Sequence, residues 1–261
     1  MNWLEALILG IIQGLTEFLP ISSSGHLELA KAMFGVEAES SLMFTVAVHA
    51  ATVLSTIIVF RKDIGQLFVG FFSKGHTDEK SYVFKLLLSM IPVGIVALLS
   101  KDEISTLFNG NIIFVGSMLL VTALLLTFSY FRRNGTRSIG WLDSFIIGIA
   151  QAVAVIPGIS RSGATIATGM IIGNKPTELA KFSFLMVIIP ILGETFLDLV
   201  SGDLFSSSIG MIPIILGFVA AFVSGLFACK LMINIVKKGK LIWFALYCLI
   251  AGLTAIIIGI I

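Results

Sequence analysis

The chain has 261 residues, 57% of them hydrophobic and only 12% charged, with a mean hydropathy of +1.06 and a net charge of +2. Soluble domains carry about 25% charged residues, so a soluble fold cannot hide this much apolar surface. No basic soluble domain is present to grip nucleic acid. The class this leaves is an all-α polytopic membrane protein, a single integral membrane domain over residues 1–261.

The opening residues, MNWLEALILGIIQG, have no basic n-region and no small-residue cleavage site, so a removed signal peptide is not expected. The first apolar run, 3–19, stops at Pro20 and meets the polar stretch EFLPISSSGHL (17–27), after which a short arm runs over about 22–35. Spans are expected at about 41–60, 81–100 and 112–131, each with the roughly 20 apolar residues that a crossing needs. A second broken run, 142–156, stops at Pro157 and meets PGISRSGAT (157–165), with an arm over about 160–173. Spans at about 182–200, 209–233 and 241–261 complete the chain. The short, partly polar second arms fit re-entrant hairpins better than crossings. The expected architecture is six transmembrane helices plus two re-entrant helical hairpins.

Charge sets the sidedness. With hairpins that enter and leave on one side, one set of connections collects Arg61, Lys62, Lys74, Lys80, Arg132, Arg133, Arg137, Lys175, Lys181, Lys237, Lys238 and Lys240. The other set holds only Lys101, beside Glu37, Glu39, Asp102, Glu103 and Asp203. The positive-inside rule places the first set in the cytoplasm and both termini outside. Lys85 and Lys230 sit near cytoplasmic span ends, where they can snorkel. Cys229 and Cys248 lie in apolar runs and are read as buried free thiols.

A shift of 138 residues lays Gly10 on Gly148, Gln13 on Gln151, Ile21 on Ile159, Ser22 on Ser160, Ser24 on Ser162 and Gly25 on Gly163 without a gap. The Gly, Gln and Ser matches cluster at the polar turns, which marks an internal duplication: repeat 1 over about 1–131 and repeat 2 over about 139–261. Each half reads as a hairpin and three spans. An odd number of crossings inverts the second half, giving an inverted-topology repeat with both tips near the middle of the protein.

The tips have diverged at their charged positions. The second supplies Arg161 where the first has Ser23; the first supplies Glu17 and His26 where the second has Val155 and Ala164. Intramembrane charges are costly unless paired or solvated, so these are functional candidates, with a structural Glu17–Arg161 ion pair as the plain alternative. Both tips open helical arms whose free N–H groups favour anions. Gly25 and Gly163 admit close backbone approach, hydroxyls add donors, and Arg161 offers a fork for phosphate oxygens. Gln13 and Glu17, four apart, share a helix face and could hold a divalent cation, Mg²⁺ or Ca²⁺, through hard oxygen ligands. Together the tips point to a phosphate or diphosphate site.

QGLTEFLPISSSGHL (13–27) and PGISRSGAT (157–165) resemble the two signature motifs of the undecaprenyl-diphosphate phosphatases, the bacitracin-resistance proteins, and the likeness covers essentially the whole chain, including FTVAVHAATVLSTIIVFRKD (44–63). The resemblance implies removal of the terminal phosphate from undecaprenyl diphosphate to give the monophosphate carrier lipid of cell-wall synthesis. It also implies a divalent-cation requirement and an active site opening on the outer, periplasmic side of the bacterial plasma membrane. The partners implied are the polyprenyl diphosphate and membrane lipid, with a homodimer left open. Glu17 matches the second acidic position of the family's (E/Q)xxxE motif and Gln13 the first, where many members carry Glu. Ser22, Ser23 and Ser24 match the hydroxyl-rich turn and His26 the imidazole after it. Ser160, Arg161, Ser162 and Thr165 match the second motif. His49 stands where many members have Gln.

The expected chemistry has Arg161 and the two helix N-termini neutralising the diphosphate and a cation at Glu17, assisted by Gln13, screening the leaving group. Ser23 serves as nucleophile with Glu17 as its base. The rival scheme has Glu17 or His26 activating water, and His26 could instead orient Glu17 or protonate the leaving oxygen. His49 is read as structural, and Gln151 as a hydrogen-bonding group between hairpins. Glu28, Lys31 and Asp143 are read as interface or snorkelling charges. Glu194 and Asp198 share a helix face and are read as capped by water or neighbours, with a second metal as the alternative. Inverted repeats with broken helices also suit a lipid-phosphate flippase or an anion transporter, which liposome uptake without hydrolysis would reveal.

Overall fold

Each polar tip is a helix break that its own sequence enforces. In the computed structural model, which describes residues 1–36, 42–99, 107, 111–132, 135–201 and 209–260, without the side chains of 194 and 197–201, every regular element is a helix. Glu37, Glu39, Lys101, Asp102, Glu103, Arg133 and Asp203, and the side chains of Glu194 and Asp198, lie outside the described residues.

Helix α1 (Trp3–Phe18) starts at a capping box, in which Asn2 Oδ1 accepts the Leu4 and Glu5 N–H groups at 2.9 Å and the Glu5 carboxylate accepts the Asn2 N–H at 2.8 Å. It ends where Leu19, just before Pro20, turns extended, as pre-proline residues do. Ser22 then caps α2 (Ser23–Phe34), which closes at Gly35 in the left-handed conformation. In the second half α7 (Trp141–Val153) breaks before Pro157, and Ser160 caps α8 (Arg161–Ile171).

The remaining helices are α3 (Leu42–Val59), α4 (Arg61–Phe72), α5 (Asp78–Leu99), α6 (Ile112–Phe131), α9 (Pro176–Met186), α10 (Ile188–Ser201), α11 (Met211–Lys237) and α12 (Ile242–Ile260). Six segments among the described residues are long and apolar enough to cross a membrane: α3, α5, α6, Pro176–Gly193, α11 and α12. Cys229 and Cys248 are free and buried, as expected.

One expectation needs correction. The span expected at 182–200 begins at Pro176 and is broken at Val187 into α9 and α10. Pro190 is the reason: it has no N–H for the carbonyl of Met186, the last residue of α9. The connection after the first span holds α4, an amphipathic helix with no buried residue, which leaves Phe68, Val69 and Phe72 exposed. It is too short to read as a span.

Packing crosses between the halves. Helix α1 lies along α11, and α7 lies along α5, so each half's broken helix rests on the second span of the other half. Glycine permits both approaches: a Cβ on Gly10 would collide with the Gly217 carbonyl, and one on Gly148 with that of Ser89. Helices α6 and α12 pack on each other, while α3 packs on α11 and α9 on α5.

Asp143 is held in a local network. It is 9% exposed and ties the base of the second tip together. Its carboxylate accepts from the Gly140 N–H at 2.9 Å, from Asn174 Nδ2 at 2.9 Å and from Arg137 Nη2 at 3.0 Å. The backbones close the same joint, Lys175 N–H donating to the Arg137 carbonyl at 2.9 Å. Lys85 adds a bond to the Ile139 carbonyl at 2.8 Å. Asp143→Ala leaves the buried Asn174 amide only its 3.4 Å bond to the Ser138 carbonyl and uncaps α7, and is expected to cost about 3 kcal/mol, read as a lowered melting midpoint in detergent.

Candidate active site

The first tip's acid and the second tip's guanidinium meet. Glu17, in the last turn of α1, pairs through Oε1 with Arg161 Nη2, from the first turn of α8. The pair is inside the protein, with the Glu17 side chain 5% and the Arg161 side chain 26% exposed. The second carboxylate oxygen is shared: Ser23 Oγ donates to Glu17 Oε2 at 2.7 Å and Gln13 Nε2 donates to it at 2.8 Å. One carboxylate thus faces a hydroxyl, an amide and a guanidinium drawn from α1, α2 and α8.

Helix caps and two bridging hydroxyls hold the tips in contact. Ser22 Oγ accepts the Gly25 N–H at 3.2 Å, capping α2, and also the Gly158 N–H of the other tip at 3.2 Å. Ser160 Oγ accepts the Gly163 N–H at 3.0 Å, capping α8. Ser162 Oγ crosses to the Leu19 carbonyl at 3.2 Å. Two backbone conformations make this possible: Gly158 takes φ +97° and Ser22 takes φ +68°. Ser22 is the one described residue other than glycine at positive φ, a strained state that marks functional turns.

Ser24 Oγ lies 3.4 Å from Ser22 Oγ and is half-buried. Thr165 is turned away from Glu17, its hydroxyl 2.6 Å from Ser183 Oγ and donating to the Arg161 carbonyl at 2.9 Å. His26 meets α12 rather than the carboxylate, with Nε2 2.8 Å from the Tyr247 hydroxyl. His49 donates from Nδ1 to the Thr45 carbonyl of its own helix at 2.8 Å. Lys31 is buried, bonding Thr45 Oγ1 at 2.9 Å and Glu28 at 3.4 Å.

Gln151 departs from expectation. It is 1% exposed and makes no hydrogen bond between hairpins; neither amide atom has a partner in the described structure. Its counterpart Gln13 bonds the carboxylate four residues on, where Gln151 has only Val155.

A narrow cleft leads to the pair, lined by Thr52, Val53 and Thr56 of α3 on one side and by Ser183, Phe184, Val187 and Ile191 on the other. Sequence reading missed Thr52, Thr56 and Ser183, and also Thr122, whose hydroxyl accepts the Ser160 N–H at 2.9 Å. A hydroxyl in an apolar helix is a common residue, and only contact with the tips separates these from the rest.

Fold and site together define a polytopic helical membrane protein with a charged polar centre assembled from two broken helices. Residues 6–254 match the sequence model of the family described as bacitracin resistance protein BacA. Proteins named undecaprenyl-diphosphatase are similar over nearly the whole chain: 53% identity in Bacteroides fragilis (99% of each chain), 55% in Parabacteroides distasonis (98% of each) and 37% in Carboxydothermus hydrogenoformans (99% of this chain and 98% of that one). The chain belongs to the BacA family.

Proposed function

We propose that the chain hydrolyses undecaprenyl diphosphate to undecaprenyl phosphate and inorganic phosphate, recycling the carrier lipid for cell-wall synthesis and so conferring bacitracin resistance. The observation that carries this is the single Glu17 carboxylate shared between the Ser23 hydroxyl at 2.7 Å and the Arg161 guanidinium. Arriving phosphate oxygens compete with Glu17 for the guanidinium, whose planar fork suits them. Released from its ion pair, Glu17 is a stronger base toward the hydroxyl it already contacts. Ser23 Oγ attacks the terminal phosphorus, its proton passes to Glu17, and the bridging P–O bond breaks to release undecaprenyl phosphate. Glu17 gives that proton to solvent and then takes one from the water that attacks the phosphoserine. The Ser23–phosphorus bond breaks, and Ser23 regains a proton as phosphate leaves. The N–H groups that open α2 and α8 give the charge developing on phosphate a favourable end of each helix.

A divalent cation, Mg²⁺ or Ca²⁺, belongs to this reading. Gln13 Oε1 is buried beside Glu17 without a hydrogen-bond partner, a hard oxygen donor left over for a cation. Among the described residues no group of three or more His, Cys, Asp or Glu could hold a metal, so Glu17 and Gln13 would need substrate oxygens to complete the set. When bound, the ion would offset negative charge on the leaving phosphate.

In the same reading α1–α2 and α7–α8 are re-entrant hairpins of two inverted repeats, 1–131 and 139–261. The exchange of α1 and α7 between the halves supports it. The basic connections then face the cytoplasm of the bacterial cell, and the termini and substrate entry face outward. Purified protein given undecaprenyl diphosphate in detergent should release one phosphate for each monophosphate lipid formed. Lipid transfer across liposomes without phosphate release would replace hydrolysis by transport.

A further inference from the structure

The Ser22 turn that presents Ser23 is held from a distance. The Ser22 carbonyl accepts the His26 N–H at 3.1 Å and faces His26 Nδ1 at 2.8 Å. A carbonyl only accepts, so Nδ1 carries the proton and the neutral ring keeps its lone pair on Nε2. That lone pair meets the Tyr247 hydroxyl at 2.8 Å, so the phenol is the donor. The two rings also stack, with centroids 5.5 Å apart and 18° between planes. A directional chain runs from Tyr247 through His26 to Ser22, joining α12 of the second half to the strained residue beside Ser23.

We infer that Tyr247 is a positioning residue: its hydroxyl pins the imidazole to the Ser22 carbonyl and keeps Ser23 in register with Glu17. This rests on the reading of Ser23 as nucleophile. It also takes His26 out of the role of base, since both ring nitrogens are engaged, and leaves Glu17 as the proton acceptor. Tyr247 is not needed to pack its helix. It is 44% exposed, and the buried face of α12 is formed by Ala245, Cys248, Gly252 and Ala255.

The test is a double-mutant cycle with purified full-length protein and undecaprenyl diphosphate. Tyr247→Phe keeps the stacked ring and removes the donor, and should lower kcat about tenfold while KM moves by less than about twofold. His26→Asn keeps a donor for the Ser22 carbonyl but ends short of the Nε2 position that receives the phenol, and adding Tyr247→Phe to it should change little further. Wild-type kcat in Tyr247→Phe, or a full additive loss in the double variant, overturns the inference. A second readout needs no altered Tyr247: nitrogen NMR of histidine-labelled wild type, with the His26 signals assigned by their loss in His26→Asn. Protonated Nδ1 and hydrogen-bonded, unprotonated Nε2 are expected; the opposite tautomer overturns the inference even if Tyr247→Phe folds poorly. Absence of phosphate release from the wild type would instead overturn the hydrolase reading.

Discussion

Arg161→Ala is expected to lower phosphate release from undecaprenyl diphosphate at least about a thousandfold, the scale on which a transition-state arginine acts in phosphoryl transfer. The substitution has a second effect that must be separated from the first. Arg161 is the partner of a Glu17 side chain only 5% exposed, and an orphaned buried carboxylate costs about 3–5 kcal/mol. The single variant should therefore melt earlier as well as turn over slowly. Arg161→Ala combined with Glu17→Gln removes both charges, and should recover most of the melting temperature and none of the activity. Arg161→Lys restores a positive charge without the planar fork, and should recover stability better than rate. Activity that returned together with stability in the double variant would make the pair a structural lock and exclude Arg161 from phosphate recognition.

Ser23→Ala should produce the other large loss, on the order of 10³ to 10⁶ in kcat, because removal of a nucleophile leaves only binding and electrostatic stabilisation. The structural cost should be small: the Ser23 hydroxyl is half-buried and donates a single hydrogen bond, to Glu17. A phosphorylated enzyme trapped by rapid acid quench should appear in the wild type and be missing in Ser23→Ala. Near-wild-type turnover in Ser23→Ala would assign the attack to water activated by Glu17. Glu17→Gln keeps the shape of the side chain but cannot take the serine proton. A loss of about 10² to 10⁴ is expected, the usual range for a general base. The response to added Mg²⁺ or Ca²⁺ should disappear with it, and an unchanged response would move the cation to other ligands.

Much of the architecture was legible because bilayer physics leaves few choices. The spans read at 41–60 and 112–131 appear as Leu42–Val59 and Ile112–Phe131, and the runs that stop at Pro20 and Pro157 end as helices at Phe18 and Val153. The approach of Glu17 to Arg161 was also legible, from the equal 138-residue spacing of two polar tips and the cost of leaving either charge alone. What escaped was information held in contacts. The break at Val187 depends on which carbonyl Pro190 deprives, and a hydropathy run passes over it. Helix α4 carries too few apolar residues for a span and too many exposed ones for an ordinary loop. The closing of Arg137 and Asn174 around Asp143 is a contact between separate stretches of chain that no local pattern announces. Tyr247 is separated from His26 by 221 residues, and no periodicity links the two.

The exchange of first helices has a consequence for how such a centre could arise. With α1 resting on α11 and α7 on α5, a lone half would leave its glycine-lined helix without a bed and would need the other half to supply one. In an assembly of two identical chains every tip must carry the same residues, so an acid gained by one is gained by both. A single polypeptide is free of that restriction. One tip carries Glu17 against Val155 and the other Arg161 against Ser23, so opposite charges face each other where the two tips meet.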